Sequence, residues 1–471
     1  MKDIQLNTAH LGKLDNSFYD FTTSIPLIKP NLVSINEEFA LIIGLNKTQL
    51  NSKEFIEFIN GSNILKGSIP YSYAYSGHQF GYFVPNLGDG RALNLGKLNK
   101  YHLQLKGSGV TKYSRDGDGR AVLRSSIREY LASEAMDGLG IPTTKAIAII
   151  SSNTIVYRNY DTEKGSIVLR ASPSWIRFGS FEYGYMGKNK EENLKQLADF
   201  VIDESYPHLK GLDNRYDELY FEIVDKTIEM ISLWQSVGFM HGVMNTDNMS
   251  VAGLTIDYGP YAFMEEFDKG FVCNLSDHEG RYSFENQPYI AQWNLSVLAK
   301  VLSTIANEEL MNSYNDMFIG KFKKRYFELM ASKLGLVNYN FDKDKNLIAK
   351  LFKAMKEDKV DYTSFFYCLS TNTLDLDGKN INKWLEKYEE RCEEESVLKD
   401  ERLTSMKKIN PKFILRNYML QDAITKAEQG DYTLVNDFLK IAQNPFDEHL
   451  KYEHYTKPKP NLEPLKCSCS S

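Results

Sequence analysis

Apolar spacing divides the chain into a β-rich stretch and a longer helical one. Leu93–Leu98 and His102–Lys106 read as two short strands, the second alternating His102, Leu103, Gln104, Leu105, with Asn99–Lys100 suited to the turn between them. Across residues 121–139, Leu123, Ile127, Tyr130, Leu131, Ala135 and Leu139 recur mostly every three or four positions and predict one amphipathic helix. Gly138, Gly140 and Pro142 stop it. Strands Ala146–Ser151 and Thr154–Tyr157, with Ser152–Asn153 as their turn, are expected next, then a strand at Ile167–Ala171. Short helices are expected earlier, at Asn36–Ile43 and Ser52–Ile59. Later, helical periodicity covers Leu194–Glu204, Tyr216–Val237, Ala291–Ile305, Leu310–Leu336, Leu347–Met355, Ile381–Glu395 and Leu434–Gln443. The expected class is α+β, divided as an extension (1–68), a β-rich unit with one central helix (69–185), a helical unit (186–310) and a C-terminal helical extension with a tail (311–471).

A chain of 471 residues outgrows a single core, so two or three packed lobes are expected. Its 42% hydrophobic and 25% charged residues are ordinary for a soluble globular protein. The net charge of -6 argues against coating nucleic acid or binding membranes through a basic patch. Met1–Asn16 shows no basic segment followed by an apolar run, and no apolar stretch is long enough to span a bilayer. The expected location is cytoplasmic, with neither nucleic acid nor membrane as partner. Five cysteines in this length do not make a disulfide scaffold.

The chemistry is concentrated in three places. Leu87-Gly88-Asp89-Gly90-Arg91 carries glycines that let a backbone approach phosphates, although Gly-x-Gly alone also describes a plain turn. Lys106 ends a strand and precedes a helix bearing Glu129 and Glu134. A strand lysine held by a helix glutamate contacts nucleotide phosphates in kinases; both glutamates are candidates, and Glu129 is the favoured one. The third place is Met240-His241-Gly242-Val243-Met244-Asn245-Thr246-Asp247-Asn248, followed by Asp257-Tyr258-Gly259 at the end of an apolar segment, 251–256, expected as a strand or hairpin. His241 and Asn248 keep the His-to-Asn spacing of a kinase catalytic loop, and Asp257-Tyr258-Gly259 stands where Asp-Phe-Gly would. Asn248 and Asp257 offer the hard oxygens that Mg²⁺ takes alongside substrate phosphates. The Asp that a kinase uses to orient its hydroxyl would fall at Val243, which cannot accept a proton. Asp247 is either a displaced base or a loop residue capping a turn; its place beside a metal-ligand position favours the base.

These segments resemble the selenoprotein O family. The resemblance runs through Gly77-His78-Gln79-Phe80-Gly81, Asp118-Gly119-Arg120-Ala121, Ser126-Ile127-Arg128-Glu129, Ser174-Trp175-Ile176-Arg177-Phe178-Gly179 and Asn245-Thr246-Asp247-Asn248-Met249, over about residues 70–300. It implies a protein-kinase-like bilobal fold, with a small β-rich lobe and a larger helical lobe, that binds ATP flipped. AMP then passes to a Ser, Thr or Tyr hydroxyl of a protein and pyrophosphate leaves; UMP transfer from UTP with Mn²⁺ is attributed to some members. Carried over position by position, Gly88, Gly90 and Arg91 match the Gly-rich turn, Lys106 and Glu129 the lysine and its partner, and Asp118 and Gly119 the segment meeting the nucleotide. Arg170 and Arg177 match two pocket arginines, Asp247 the proton acceptor, and Asn248 and Asp257 the ligands of Mg²⁺ or Mn²⁺.

Two rival readings stand beside it. An ordinary phosphotransferase lacks its base at Val243, and a non-catalytic nucleotide-binding scaffold has no need of Lys106, Asn248 and Asp257. In the tail, Cys469 occupies the place where some family members carry selenocysteine. A reversible Cys273–Cys469 disulfide, a Cys467–Cys469 pairing and no bond at all remain open.

Overall fold

Ten strands precede residue 173 in the computed structural model, which describes residues 1, 3–158, 161–375 and 378–459. They are β1 (Tyr19–Phe21), β2 (Asn31–Ile35), β3 (Tyr71–Tyr73), β4 (Gly77–Gln79), β5 (Tyr82–Val84), β6 (Ala92–Leu98), β7 (Tyr101–Lys106), β8 (Ala121–Val122), β9 (Lys145–Arg158) and β10 (Asp161–Ser172). All but β4 and β5 join one antiparallel sheet, ordered β1-β3-β6-β7-β10-β9-β2 with β8 beside β10; β4 and β5 form a separate hairpin. The turn expected at Asn99–Lys100 forms, and Asn99 takes the left-handed backbone (φ +55°) that Asn tolerates better than most residues. Residues 1–68 supply both outer strands, β1 and β2.

Alternation along the strands gives the sheet two different faces. Leu103 and Leu105 of β7, with Ile167 and Leu169 of β10, join a core closed by Phe39, Leu50, Phe55 and Phe58 from helices α1 (Glu37–Ile42), α2 (Lys47–Leu50) and α3 (Lys53–Ile59). The alternate residues His102, Gln104, Lys106 and Arg170 are buried as well, but they are polar. Polar residues on a covered face need partners, and two clusters supply them. One is the candidate site. The other joins the N-terminal segment to the sheet.

In that second cluster His10 Nε2 lies 3.0 Å from the Tyr71 hydroxyl, and the His10 ring stands edge-on to His102 at 4.7 Å. His102 Nε2 lies 2.5 Å from Glu204, which also accepts from Lys97 at 2.9 Å. Burial, helped by His102, pushes His10 down to about 3, and burial also lowers His102. Burial pushes Glu204 up, but its bonds to His102 and Lys97 outweigh that and hold it at about 2. Between pH 6.5 and 3 unfolded His10 is protonated and folded His10 is not, so stability falls as pH drops through that window. The Glu204 contribution is present above its ordinary value and is lost as pH falls toward 2. From His10 alone, going from pH 7 to pH 5 should cost about 2 kcal/mol. Thermal unfolding at the two pH values should show a fall in Tm that His10→Gln reduces, with the remainder coming from His102; an equal fall in that variant would clear His10 of the effect.

Ser152–Asn153 is not a turn, because β9 runs unbroken through it. Ser152 Oγ donates to the Gly165 carbonyl at 2.8 Å and the Asn153 amide donates to Ile28 at 2.9 Å, so the polar pair is satisfied within an extended chain. A register shift at Gly165 on β10 absorbs the irregularity. Residues 251–256 form no strand or hairpin; the segment is loop, held by single bridges Arg177–Ser250 and Thr143–Thr255 at or beside it.

The central helix, α4 (Leu123–Gly138), begins two residues later than its spacing suggests because Ala121–Val122 is drawn into β8. It is buried almost all round, including Arg128, Glu129 and Glu134. The sheet covers one side. The other is covered by α15 (Asn417–Glu428) and α16 (Thr433–Gln443), near the far end of the chain, and α16 approaches so closely that a Cβ on Gly138 would lie 2.1 Å from the Ala442 carbonyl oxygen.

Between these ends lie α5 (Phe178–Met186), α6 (Lys190–Ser205), α7 (Arg215–Ser236), strands β11 (Phe239–Met240) and β12 (Ala262–Phe263), and α8 (Gln287–Leu302). The helix expected over Leu310–Leu336 is two, α9 (Glu308–Asp316) and α10 (Phe318–Lys333). Near the break, the Asn315 carbonyl accepts from the Gln292 side chain at 3.0 Å while Asn315 Nδ2 returns a bond to the Gln292 carbonyl. Among the described residues no helix is long and apolar enough to cross a membrane.

Candidate active site

A cavity of about 930 Å³ opens against the polar side of the sheet, and all twelve residues singled out from the sequence line it: Gly88, Gly90, Arg91, Lys106, Asp118, Gly119, Glu129, Arg170, Arg177, Asp247, Asn248 and Asp257. Strand β7 delivers Lys106, β10 delivers Arg170, the residue before α5 is Arg177, and α4 presents Glu129. The segment from Asn245 to Pro260 supplies the rest of the opposing wall.

These side chains form one charge network. Lys106 Nζ lies 2.6 Å from Glu129 and 3.0 Å from Asp257 Oδ1. Arg170 Nη1 lies 2.5 Å from Glu129 and 2.7 Å from the same Asp257 oxygen, and its Nη2 donates to Gln104. Arg177 Nη1 donates to Asp257 Oδ2 and, at 2.7 Å, to the Asp247 carbonyl. Glu134, the other candidate partner of Lys106, instead binds Lys145 at 3.0 Å and Asn36 at 2.6 Å, so the ambiguity on the helix resolves to Glu129. Three cations thus face two carboxylates. Arg91 adds a further charge and forms no ion pair among the described residues.

Burial governs how these groups titrate. It pushes Lys106 down despite Asp257 and Glu129. It pushes the Asp257 and Glu129 carboxyls up, but the cations reverse both, and Asp257 is held well below the usual carboxylate range by Arg177, Lys106 and Arg170. Asp247 has weaker compensation: burial raises it to about 7, with Arg177 and a bond from Gln79 opposing. Asp257 also takes a left-handed backbone (φ +56°), uncommon for a non-glycine residue. His241 steadies the segment in front of it, its ring stacked on Trp234 and its Nε2 donating to the Ile256 carbonyl at 2.8 Å. The Asn248 amide nitrogen donates to the Val243 carbonyl at 3.1 Å, which leaves Oδ1 as the atom able to ligate a cation.

Some parts of the site are arranged otherwise than their residue types suggest. Gly88 and Gly90 leave room for a neighbouring segment as well as for a ligand: a Cβ on Gly88 would lie 2.4 Å from the Tyr113 ring, and one on Gly90 2.8 Å from the Tyr113 carbonyl. Asp118 sits at the rim with its carboxylate bound to Arg158 at 2.7 and 2.9 Å. At Gly119 a Cβ would strike Gly109. Cys273 is buried; the Cys273–Cys469 and Cys467–Cys469 pairings both involve residues that lie outside the described ones.

The model of the protein adenylyltransferase SelO family matches residues 4–443. The chain belongs to the SelO family. It is 44% identical to a protein nucleotidyltransferase YdiU of Thioalkalivibrio sulfidiphilus, covering 100% of this chain and 99% of that one. It is 42% identical to the one of Myxococcus xanthus (95% and 94% covered) and 41% identical to that of Vibrio parahaemolyticus (98% of each). By family, then, this SelO chain is an enzyme, a nucleotidyltransferase.

Sequence reasoning missed four parts of the SelO site. Asp89 is buried beneath the Gly-rich turn, accepting from Tyr73 and Asn94, with Arg177 at 4.0 Å. Gln104 receives Arg170, and Arg158 holds Asp118. Gln79 donates to the Asp247 carboxylate at 3.3 Å. The alternation of β7 could have pointed to Gln104, which shares a face with Lys106; Asp89 and Gln79 lie inside the Gly-rich segment and the Gly77–Gly81 motif, and nothing local marks Arg158.

Proposed function

We propose that the cavity binds a nucleoside triphosphate, ATP above all, and transfers AMP to a Ser, Thr or Tyr hydroxyl of a protein, releasing pyrophosphate. The observation that carries this is the single guanidinium of Arg177, which bonds both the Asp257 carboxylate and the Asp247 backbone. It ties a cation-facing carboxylate to a buried carboxyl suited to take a proton. In this reading Lys106, Arg170, Arg177 and Arg91 hold the triphosphate oxygens, for which arginine's fork is well matched. The hydroxyl oxygen attacks the α-phosphorus, its proton passes to Asp247, and the bond to pyrophosphate breaks. The cations oppose the charge gathering on the leaving group.

Asn248 and Asp257 suit Mg²⁺ or Mn²⁺: both offer hard oxygens, and the described residues contain no cluster of three or more His, Cys, Asp or Glu that could hold an ion by itself. That composition fits an ion taking its other ligands from phosphates and water. When bound, such an ion would withdraw charge from the phosphate chain. The reading also assigns a kinase-like bilobal arrangement, with 69–185 as the phosphate-binding lobe, 186–310 as the lobe of the catalytic and metal loops, 1–68 as an extension and 311–471 as a C-terminal helical extension with a Cys-containing tail. A cytoplasmic location would supply the ATP that this reaction consumes.

The test compares ATP labelled on the α-phosphate with ATP labelled on the γ-phosphate, each incubated with the protein, a divalent ion and cell-extract protein. Label from the α sample alone is expected. Label from the γ sample alone would mean phosphoryl transfer and would overturn the reading; α-labelled UTP in a parallel reaction reports on UMP transfer.

A further inference from the structure

The hairpin of β4 and β5 lies apart from the main sheet and against the loop that carries Asp247. The His78 amide donates to Thr246 Oγ1 at 2.7 Å and the Phe80 amide to Asn245 Oδ1 at 3.2 Å, so two successive residues of the loop are fastened to the hairpin. His78 Nδ1 lies 2.6 Å from Glu182 on α5, which anchors the hairpin from the other side. The next loop residue, Asp247, meets it twice. A Cβ on Gly77 would fall 2.5 Å from Asp247 Oδ1, so only glycine lets the backbone close over that oxygen. Oδ1 is buried there without a hydrogen-bond partner among the described residues. Oδ2 accepts from Gln79 Nε2 at 3.3 Å, and both residues line the cavity.

From this arrangement we infer that Gln79 is a positioning residue for the transfer reaction, holding the Asp247 carboxylate with Oδ2 toward the incoming hydroxyl. The inference rests on the reading of Asp247 as proton acceptor. A carboxylate turns easily about its last torsion, which is broad and two-fold. Gly77 crowds one oxygen but offers it no bond, and Gln79 is the one side chain seen donating to the other. Loss of that bond frees the rotation while leaving the triphosphate-facing cations in place, because among the described residues Gln79 is seen hydrogen-bonded to Asp247 and to none of them. The consequence should therefore appear in turnover rather than in nucleotide affinity.

The experiment measures α-label transfer to a fixed amount of cell-extract protein across a range of ATP concentrations, for the wild type, Gln79→Met, Gln79→Glu and Asp247→Asn. Methionine keeps the length and removes the donor; glutamate keeps the shape and sets an acceptor against an acceptor. Both Gln79 variants should lose about 10- to 100-fold in kcat, the scale of a bond to a charged group or of a misplaced reacting group. Their KM for ATP should stay within about twofold, and the Tm of Gln79→Met should be unchanged. If Asp247→Asn abolishes transfer while both Gln79 variants keep wild-type kcat, the inference fails and the acceptor reading stands. If Asp247→Asn transfers normally, the acceptor reading fails and takes the inference with it. A rise in KM matching the fall in kcat would make Gln79 a nucleotide contact, which also overturns its positioning role.

Discussion

Asp257→Asn should lower transfer of α-label to protein by at least about a thousandfold, the scale of losing a main electrostatic support of a transition state. It should do so without impairing the binding of metal-free ATP. Asp257 is the shared counter-ion of Lys106, Arg170 and Arg177. Neutralising it makes the cation cluster one unit more positive, which favours a polyanion, while removing the carboxylate assigned to the metal. Asparagine is the right replacement because it has the same shape and tolerates the left-handed backbone found at this position. Transfer assays, beside an equilibrium titration of ATP in the presence of a chelator, separate the two effects. Near-normal transfer would remove Asp257 from the chemistry. Lost binding of metal-free ATP would mean that the cations are disordered without Asp257, and that their arrangement depends on it.

Arg177→Met should cost both stability and activity. Arg177 is buried, it bonds Asp257 and the Asp247 carbonyl, it lies over the Tyr75 ring at 4.8 Å, and it approaches Asp89. Its removal strands a buried carbonyl and takes one cation from Asp257, and breaking a buried pair this way typically costs about 3–5 kcal/mol. Denaturant unfolding should show a loss of that order, and transfer at saturating ATP should fall by at least about 100-fold. Arg177→Lys should not restore activity, since an ammonium lacks the planar guanidinium that lies over the Tyr75 ring while its Nη1 bonds both Asp257 and the Asp247 carbonyl. A Met variant as stable as the wild type would show that the network carries little net free energy, as some buried ion pairs do.

The site was more legible in the sequence than the fold around it. Lys106 could be placed because β7 alternates and ends at that residue, and Asn248 and Asp257 because a short loop keeps its spacing. The choice between Glu129 and Glu134 was not available locally. They stand five residues apart on α4, and only the covering of each by different partners, Lys106 and Arg170 for one, Asn36 and Lys145 for the other, separates them. Helix α5 gave no signal because it is buried almost all round, whereas α15 carries a regular apolar spacing at Met419, Leu420, Ala423, Ile424 and Ala427 and was legible. Ser152–Asn153 looks like a turn until Ile28 and Gly165 supply its partners.

The amino-acid sequence by itself determined the local elements whose spacing is regular and the identity of twelve of the residues that line the cavity, because side-chain type and short spacing are properties of neighbouring positions. It also carried the family, since long ordered motifs persist in the text. Only the tertiary structure decided which charges meet. Arg170 on β10, Arg177 before α5, Glu129 on α4 and Asp257 in a distant loop come within hydrogen-bond reach only once the sheet, the buried helix and the C-terminal cover are packed. The physical reason is range: a periodicity acts over a few residues of chain, whereas a buried ion network depends on distances in space between segments the chain itself keeps far apart.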